Sequence, residues 1–533
     1  MIRPLFVFVV ICTSLFANAH AAENSAQPLL REQIEQLRNS PQTLHIVGDL
    51  TLAQAVADIY QHNNFNLIWV TRARLQSLVG AIATITTDGL NPDDYHLAQL
   101  QQGLEHLSES ELLAQRVDFD LLASDAYIRA LTHLWRGKVD PKKLDLRSDF
   151  LINDLSAEQA LQIINDGIDT HKIAETFALA RPQHNLYVQM RNTLATLRAL
   201  AAHGGWPQIA EGPTLKIDMH DARVPLLRQR LIAAGITVAD DSGDLYDAAL
   251  ATAVKQFQRE QLISADGAIG NGTRTALNIS VQQRVEQQRA DLERARWLLH
   301  GVQGNFVVVN AASYKVSFYR GDILAWTARV QVGTPVRDTP IFKSMVTRIT
   351  FNPNWTVPPT IFTKDILPKI KHDPAYLQEN NIHVFDSQGQ PLNAAQIDWK
   401  KPGNIILRQD AGPHSALGRA AIRFDNTFAI YLHDTPHQDL FTSNNRAFSS
   451  GCIRVERALE LVELLLDDNT AWNRTAIDAE IATEKTHNVS VAHRIPILLT
   501  YWTVNSDETG HITFMPDFYA RNEKLLRLLN SHQ

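Results

Sequence analysis

The chain has 533 residues, with 50 lysines and arginines against 57 aspartates and glutamates, for a net charge of −7 with histidine neutral. Hydrophobic residues at 45% and charged residues at 20% exclude a disordered, collagen-like or disulfide-stapled chain. The mildly acidic balance offers no basic face for nucleic acid, and the length corresponds to about three or four domains.

Arg3 precedes an apolar run from Leu5 to Phe16, followed by the small-residue stretch Ala17, Asn18, Ala19, His20, Ala21, Ala22. That order describes a secretory signal peptide over residues 1–21, cleaved after Ala19 or Ala21. The run is shorter than the ~20 residues of a spanning helix, which argues against an uncleaved anchor. Lipid attachment at Cys12 is disfavoured by bulky Ile11 before it. The mature chain is therefore expected to be exported, free of any later transmembrane span, with a charge of about −8 once Arg3 is gone. Loss of Cys12 leaves Cys452 alone. A single cysteine in an oxidising compartment is a dimer link, a reactive thiol or a buried inert one.

Residues 24–205 read as helical. Leu52, Val56, Ile59 and Tyr60 share one helix face, as do Ile128, Leu131 and Trp135, with Gly137 and Pro141 as the stop. No catalytic grouping of titratable residues occurs here, so the region reads as a helical scaffold. Gly204-Gly205-Trp206-Pro207 and Gly212-Pro213 mark a boundary. In the next unit, 215–280, one short helix carries Val224, Leu227 and Leu231, and a second carries Leu250, Val254 and Phe257. After the Asp266-Gly267 turn, Thr273 is placed to cap a third helix ending near Leu277. The run AVKQFQREQLISADGAIGNGTRTALN from Ala253 resembles the small three-helix peptidoglycan-binding-like module. That resemblance implies contact with cell wall, or packing against neighbouring domains alone.

Residues 281–304 carry Arg284, Glu286, Arg289, Asp291, Glu293 and Arg294 among few apolar residues and read as a charged linker helix. From Asn305 to about residue 503 strand patterns take over, beginning with Phe306–Val309 and the alternation of Val316 and Phe318 with Ser317 and Tyr319. Within them, 352–401 is rich in Pro, Asn and Asp and too long for an ordinary connection. It reads as a lid containing Trp355 and Tyr376, or else as an inserted structural subdomain. Residues 504–533 form a hairpin-and-helix tail.

The chemistry concentrates after Phe428. Phe428, Ile430 and Leu432 alternate with Ala429, Tyr431 and His433, so period 2 places Tyr431 and His433 on one strand face near the strand end. Ser449-Ser450-Gly451-Cys452 follows after a loop, and Leu459, Val462 and Leu466 mark a helix. Gly451 permits a tight turn before the thiol, and a nearby helix start would favour thiolate. A cysteine nucleophile needs an oriented base, normally histidine. Three alternatives compete. His433 and His437 have zinc-protease spacing, but Pro436 interrupts the helix that spacing needs. A papain-like protease would place its cysteine before its histidine. An inert core thiol is not usually flanked by Ser449, Ser450 and Arg454.

At these residues the sequence resembles the YkuD-type catalytic domain of the L,D-transpeptidases, whose signature is a histidine, a variable spacer and Ser/Thr-His-Gly-Cys. Eighteen residues separate His433 from Cys452. Ser450 stands where most members have a second histidine; that histidine is not the base, and Ser-Ser-Gly-Cys is similar to the large periplasmic branch. DGLNPDDYHL from Asp88, GKVDP from Gly137, VGTPVRDTP from Val332, NPNWTVP from Asn352 and YLHDTP from Tyr431 also resemble that branch.

The resemblance implies a multidomain α+β chain: helical scaffold, three-helix peptidoglycan-binding-like module, and a mostly-β catalytic domain with an inserted lid. It implies a periplasmic enzyme without metal or organic cofactor. Cys452 would attack the third-residue carbonyl of a tetrapeptide donor stem and expel D-alanine, with His433 as base. The backbone carbonyl of Asp434 would orient His433, and an oxyanion would meet the N–H groups of Gly451 and Cys452 and the Tyr431 hydroxyl. Arg454 would bind a substrate carboxylate or tie the loop to the fold, and Asn426 would hold the strand. A diaminopimelate amine as acceptor gives a 3→3 cross-link; water gives an L,D-carboxypeptidase. Partners would be stem peptides and cell-wall synthesis proteins. A non-catalytic wall-binding protein is the remaining alternative.

Overall fold

The computed structural model of the chain describes residues 26–39, 44–47, 50–105, 112–145, 155–238, 243–412, 414–468, 470–507 and 509–531. The signal peptide expected at 1–21, with Cys12, lies outside them. Among the described residues no helix is long and apolar enough to cross a membrane.

The N-terminal half is helical because its apolar residues recur at helical spacing. Leu52, Val56, Ile59 and Tyr60 are all buried on the helix Leu52–His62, whose Thr51 cap and Gln54 satisfy each other's backbone N–H groups. It packs on α1 (Leu113–Arg136), which buries Ile128 and Leu131 and ends at Gly137. Three helices, Val224–Ile232, Ala248–Glu260 and Asn271–Leu277, enclose a separate small core around Leu227, Val254 and Phe257. Thr273 does not cap the third of these. Gly270 stands at the cap, and the Thr273 hydroxyl donates to the Ala268 carbonyl at 3.1 Å inside the module.

The expected charged linker is instead the buried spine of the molecule. Along α2 (Val281–Leu299), Asp291, Glu293, Arg294 and Arg296 are each at most 1% exposed. Their charges pair within the helix, Arg294 with Asp291 at 3.1 Å and Arg296 with Glu293. Further hydrogen bonds reach neighbouring backbone. Glu293 accepts from the Val139 N–H at 2.7 Å, Arg296 donates to the Asp88 carbonyl at 2.7 Å, and Asp291 accepts from the N–H groups of Thr503 and Val504 at 2.6 and 2.8 Å. Composition alone reads such a helix as solvated. Self-pairing at i,i+3 is what allows its burial.

Nine of the strands that follow form the main sheet: β1 (Asn305–Asn310), β2 (Lys315–Arg320), β3 (Ile323–Gly333), β4 (Phe342–Phe351), β5 (Ala420–Phe424), β6 (Leu432–His433), β7 (Ala447–Ser449), β8 (Ile453–Val455) and β9 (His487–Thr500). They pair in the order β7-β3-β8-β6-β5-β4-β9-β1-β2, and β2 pairs back onto β3, closing the sheet. The helix α3 (Ala458–Leu466) buries Leu459, Val462 and Leu466 in the core of this domain. A hairpin (Val504–Ser506 with Ile512–Phe514) and α4 (Asn522–Leu529) complete the chain against the scaffold and α2.

The segment between β4 and β5 is a folded subdomain rather than a loop. Trp355–Thr356, Ile405–Gln409, Ile382–Asp386 and Pro391–Leu392 form a four-stranded sheet over its own core of Val357, Ile366, Ile370, Leu377, Val384 and Leu407. It therefore runs on to Gln409. Its two ends meet: the Asn352 N–H donates to the Arg419 carbonyl at 2.8 Å.

Candidate active site

The site is built by strand alternation on two parallel neighbours. In β6 and β8, Leu432 lies opposite Ile453 and His433 opposite Arg454, which sets Tyr431 beside Cys452 one step earlier. Leu432 and Ile453 are fully buried in the core. Tyr431, His433, Cys452 and Arg454 consequently share the other face. The Tyr431 and His433 rings lie 5.6 Å apart. The strand is shorter than alternation predicts, because Phe428–Tyr431 is not strand. Asn426 winds that stretch into a loop, donating to the Phe424 and Ile430 carbonyls and accepting from the N–H groups of Phe428 and Ile430.

His433 is buried, and its Nδ1–H donates to the Asp434 carbonyl at 2.6 Å. A carbonyl only accepts, so this bond assigns the proton to Nδ1 and leaves Nε2 with a free lone pair. Burial, with Arg454 and Arg423 nearby, lowers the imidazole from its usual 6.5 to about 3. Asp434 is itself pinned: its carboxylate accepts from the Arg419 N–H and Nε–H, each at 3.0 Å. Gly418 lies against it at φ +61°, and an added Cβ would come within 2.7 Å of the Asp434 backbone carbon. Gly418→Ala is therefore expected to displace the carbonyl that orients His433. The predicted result is a fall in kcat with little change in KM, and a loss of about 1–3 kcal/mol in stability from the strained backbone. Steady-state kinetics beside a denaturant titration would check it, and unchanged kcat would show that the carbonyl does not position the ring.

The turn before the thiol is held by hydroxyl groups. Ser449 Oγ donates to the Cys452 carbonyl at 2.6 Å and accepts from the Gly451 N–H at 3.1 Å. Thr339 Oγ donates to the Gly451 carbonyl at 2.9 Å. Gly451 adopts φ +115°. Its N–H, expected to meet an oxyanion, is thus already engaged by Ser449. The partly buried Cys452 thiol donates weakly to the Ala429 carbonyl, Sγ to oxygen 3.8 Å. No hydrogen bond joins it to His433 among the described residues; the two are diagonal neighbours across β6 and β8.

The expected thiolate-favouring helix start is not beside it. Strand β8 intervenes, and α3 begins at Ala458 after Arg457 in the left-handed region. Burial pushes the Cys452 thiol up, opposed by the Tyr431 N–H and hydroxyl and by the charges of Arg423 and Arg454. The resting pair is accordingly a neutral thiol and a neutral imidazole.

Arg454 donates to Gln331 Oε1 at 3.0 Å on β3. Ser450 is exposed and accepts from Arg337 at 2.7 Å, while the other Arg337 nitrogen donates to Asp365 of the inserted subdomain at 3.1 Å. Trp355 and Tyr376 do not join this group; both are partly buried against the insert's own core. His437 is exposed, beyond the strand and before the turn Gln438–Thr442, so the zinc spacing falls on no helix. Sequence reading passed over Thr339, Gly418, Arg337 and Arg423. Only Thr339 and Arg337 had a signal, lying within VGTPVRDTP.

Three family models match the chain. Residues 54–194 match a "Scaffold domain", 220–277 a "Putative peptidoglycan binding domain" and 304–477 the "L,D-transpeptidase catalytic domain" of the YkuD family. A Haemophilus influenzae protein named "Putative L,D-transpeptidase" is 38% identical over 224 residues, 42% of this chain and 45% of that one. The chain thus spans less than half the length of this curated relative. Among solved structures, an L,D-transpeptidase from Xylanimonas cellulosilytica is 13% identical, covering 54% of this chain and 98% of that one, at a TM-score of 0.18. One from Mycobacterium smegmatis is 15% identical, covering 37% and 58%, at a TM-score of 0.17.

Proposed function

Because the chain carries a YkuD-type catalytic domain with adjoining scaffold and peptidoglycan-binding domains, we propose that it is a peptidoglycan L,D-transpeptidase, exported to the periplasm, that forms 3→3 cross-links. The observation that supports this reading most is that Cys452, the one cysteine beyond residue 12, is a diagonal neighbour across two strands of a buried histidine whose Nδ1–H is fixed by the Asp434 carbonyl. Cys452 Sγ attacks the third-residue carbonyl of a tetrapeptide stem while His433 Nε2 takes the thiol proton. The proton then passes to the amine of the departing D-alanine, leaving a thioester. A side-chain amine of a diaminopimelate on a second stem attacks that thioester, His433 takes its proton, and Cys452 leaves as thiol. Since the starting pair is neutral, proton removal accompanies attack. The Cys452 N–H and the Tyr431 hydroxyl serve the developing oxyanion.

Incubation of the mature chain with purified disaccharide tetrapeptides, resolved by mass spectrometry, tests the reading. Dimers lacking one alanine are expected. Monomeric tripeptides would instead make it an L,D-carboxypeptidase, and unchanged substrate would leave a wall-binding protein.

The inserted subdomain acts here as a lid that shields the thioester from water. Since Asn352 and Arg419 are already hydrogen-bonded neighbours, excising residues 355–408 is expected to leave β4 and β5 as a hairpin in a folded domain. Circular dichroism should stay near wild type while the ratio of tripeptide to dimer product rises. An unchanged product ratio in a folded variant would refute the lid.

A further inference from the structure

The register places a second charged feature in line with the thiol. Arg348 on β4 lies directly opposite Arg423 on β5. Stepping across β6 and β8, Arg423 falls beside Tyr431 and Tyr431 beside Cys452. Arg348, Arg423, Tyr431 and Cys452 therefore form one transverse row on one face, while Ile349, Ile422, Leu432 and Ile453 face the core. Two cations directly opposite each other on a sheet cost stability. Neither has a carboxylate partner among the described residues, although Asp425 lines the same cleft. The Arg423 guanidinium instead stacks on the Tyr431 ring at 4.0 Å, and Arg348 is exposed. Both line a cleft of about 460 Å³ that also includes Ala429, whose carbonyl meets the thiol.

We propose that Arg348 and Arg423 form a carboxylate-binding subsite that holds the free carboxylates on the acyl side of the donor stem. The proposal rests on the transpeptidase reading above. Adjacent strands lie roughly 4.8 Å apart, so the two arginines stand roughly 10 and 14 Å from Cys452 at the backbone. An extended peptide advances about 3.3–3.6 Å per residue. Only two residues precede the attacked third one, a reach of about 7 Å. The Arg423 guanidinium, folded over the Tyr431 ring one strand from Cys452, meets a free carboxylate within that reach, and the Arg348 side chain extends toward it from the far side of Arg423. Guanidinium–carboxylate bonds are charge-assisted and can be bidentate, so the site would choose stems by their free carboxylates as well as by their main chain.

The test compares donor tetrapeptides with free and with amidated carboxylates on wild type, Arg348→Gln, Arg348→Lys and Arg423→Gln. Wild type is expected to favour the free donor by about 10-fold or more in kcat/KM. Arg348→Gln should raise KM for that donor by a similar factor with kcat nearly unchanged, and Arg348→Lys should restore part of it. Arg348 is exposed, so that variant keeps the fold, and circular dichroism checks Arg423→Gln. Equal use of both donors by wild type, or a preference unaltered in the glutamine variants, would overturn the subsite. An independent arm alkylates Cys452 with iodoacetate and with iodoacetamide. The arginines should raise the anion-to-neutral rate ratio, and both glutamine variants should lower it; an unchanged ratio again overturns the subsite. Should wild type turn over neither donor while this ratio still responds to Arg348→Gln, the transpeptidase reading fails and the anion site stands.

Discussion

Cys452→Ala is expected to abolish turnover and to lose the single covalent adduct that a carbapenem β-lactam, the inhibitor class implied by the family resemblance, leaves on the mature chain. The reason is arithmetic as well as chemical, since no other cysteine follows residue 12. Burial holds the thiol protonated at rest, so simple alkylation near neutral pH should be slower than that of a free thiol. Its rate should climb with pH past the ordinary thiol range. A strained carbonyl seated at Sγ escapes this limit, because His433 can remove the proton as the bond forms. Intact-mass spectra before and after incubation give the result. An adduct that persists in Cys452→Ala would remove the thiol from the mechanism.

His433→Gln should lower kcat by about 10²–10⁴, the range of a positioned acid–base group, while His437→Ala, exposed beyond the strand, should be nearly silent. The reverse ranking would show the wrong histidine to be the base. The pH profile separates this base from an ordinary one. An imidazole lowered to about 3 stays neutral and ready to accept a proton through the acid range, so the acid limb of kcat/KM should not fall near 6.5. Stability moves differently. Below about 6.5 the unfolded chain binds a proton at His433 that the folded chain refuses, so stability falls as pH drops from there toward 3. His300, lowered to about 4 by burial, adds to the same slope. Chemical denaturation at several pH values would show it.

The parts legible in the sequence are those governed by local period. Helix faces such as Leu52 to Tyr60, the β1 and β2 strands and the burial of Leu459, Val462 and Leu466 follow from side-chain spacing alone. The alternation that set Tyr431 and His433 on one face was also readable, although Asn426 shortens the strand by side-chain bonds that no period reveals. Reading failed where partners are remote in the chain. Asp291, Glu293, Arg294 and Arg296 look solvated until their pairing and their backbone acceptors are seen. The Arg348–Arg423 row exists only through strand register. That the insert has a core of its own was not legible, because that core is scattered from Val357 to Leu407 among prolines and polar residues.

The three-helix module does not hang from the body of the molecule. Leu262 packs into the catalytic core, Asn444 donates to the Ile263 carbonyl at 2.7 Å, and Arg284 of α2 donates to Gln261 at 3.2 Å. α2 in turn grips scaffold backbone at Asp88 and Val139. Anything held by that module is thereby kept at a set span and bearing from Cys452, as the fixed jaw of a gauge is from its blade. Under the function proposed above, the chain would have no leash on which to sample neighbouring strands. The spacing at which it would join two of them is then a dimension of the folded chain, altered by repacking Leu262 or cutting α2 rather than by lengthening a tether.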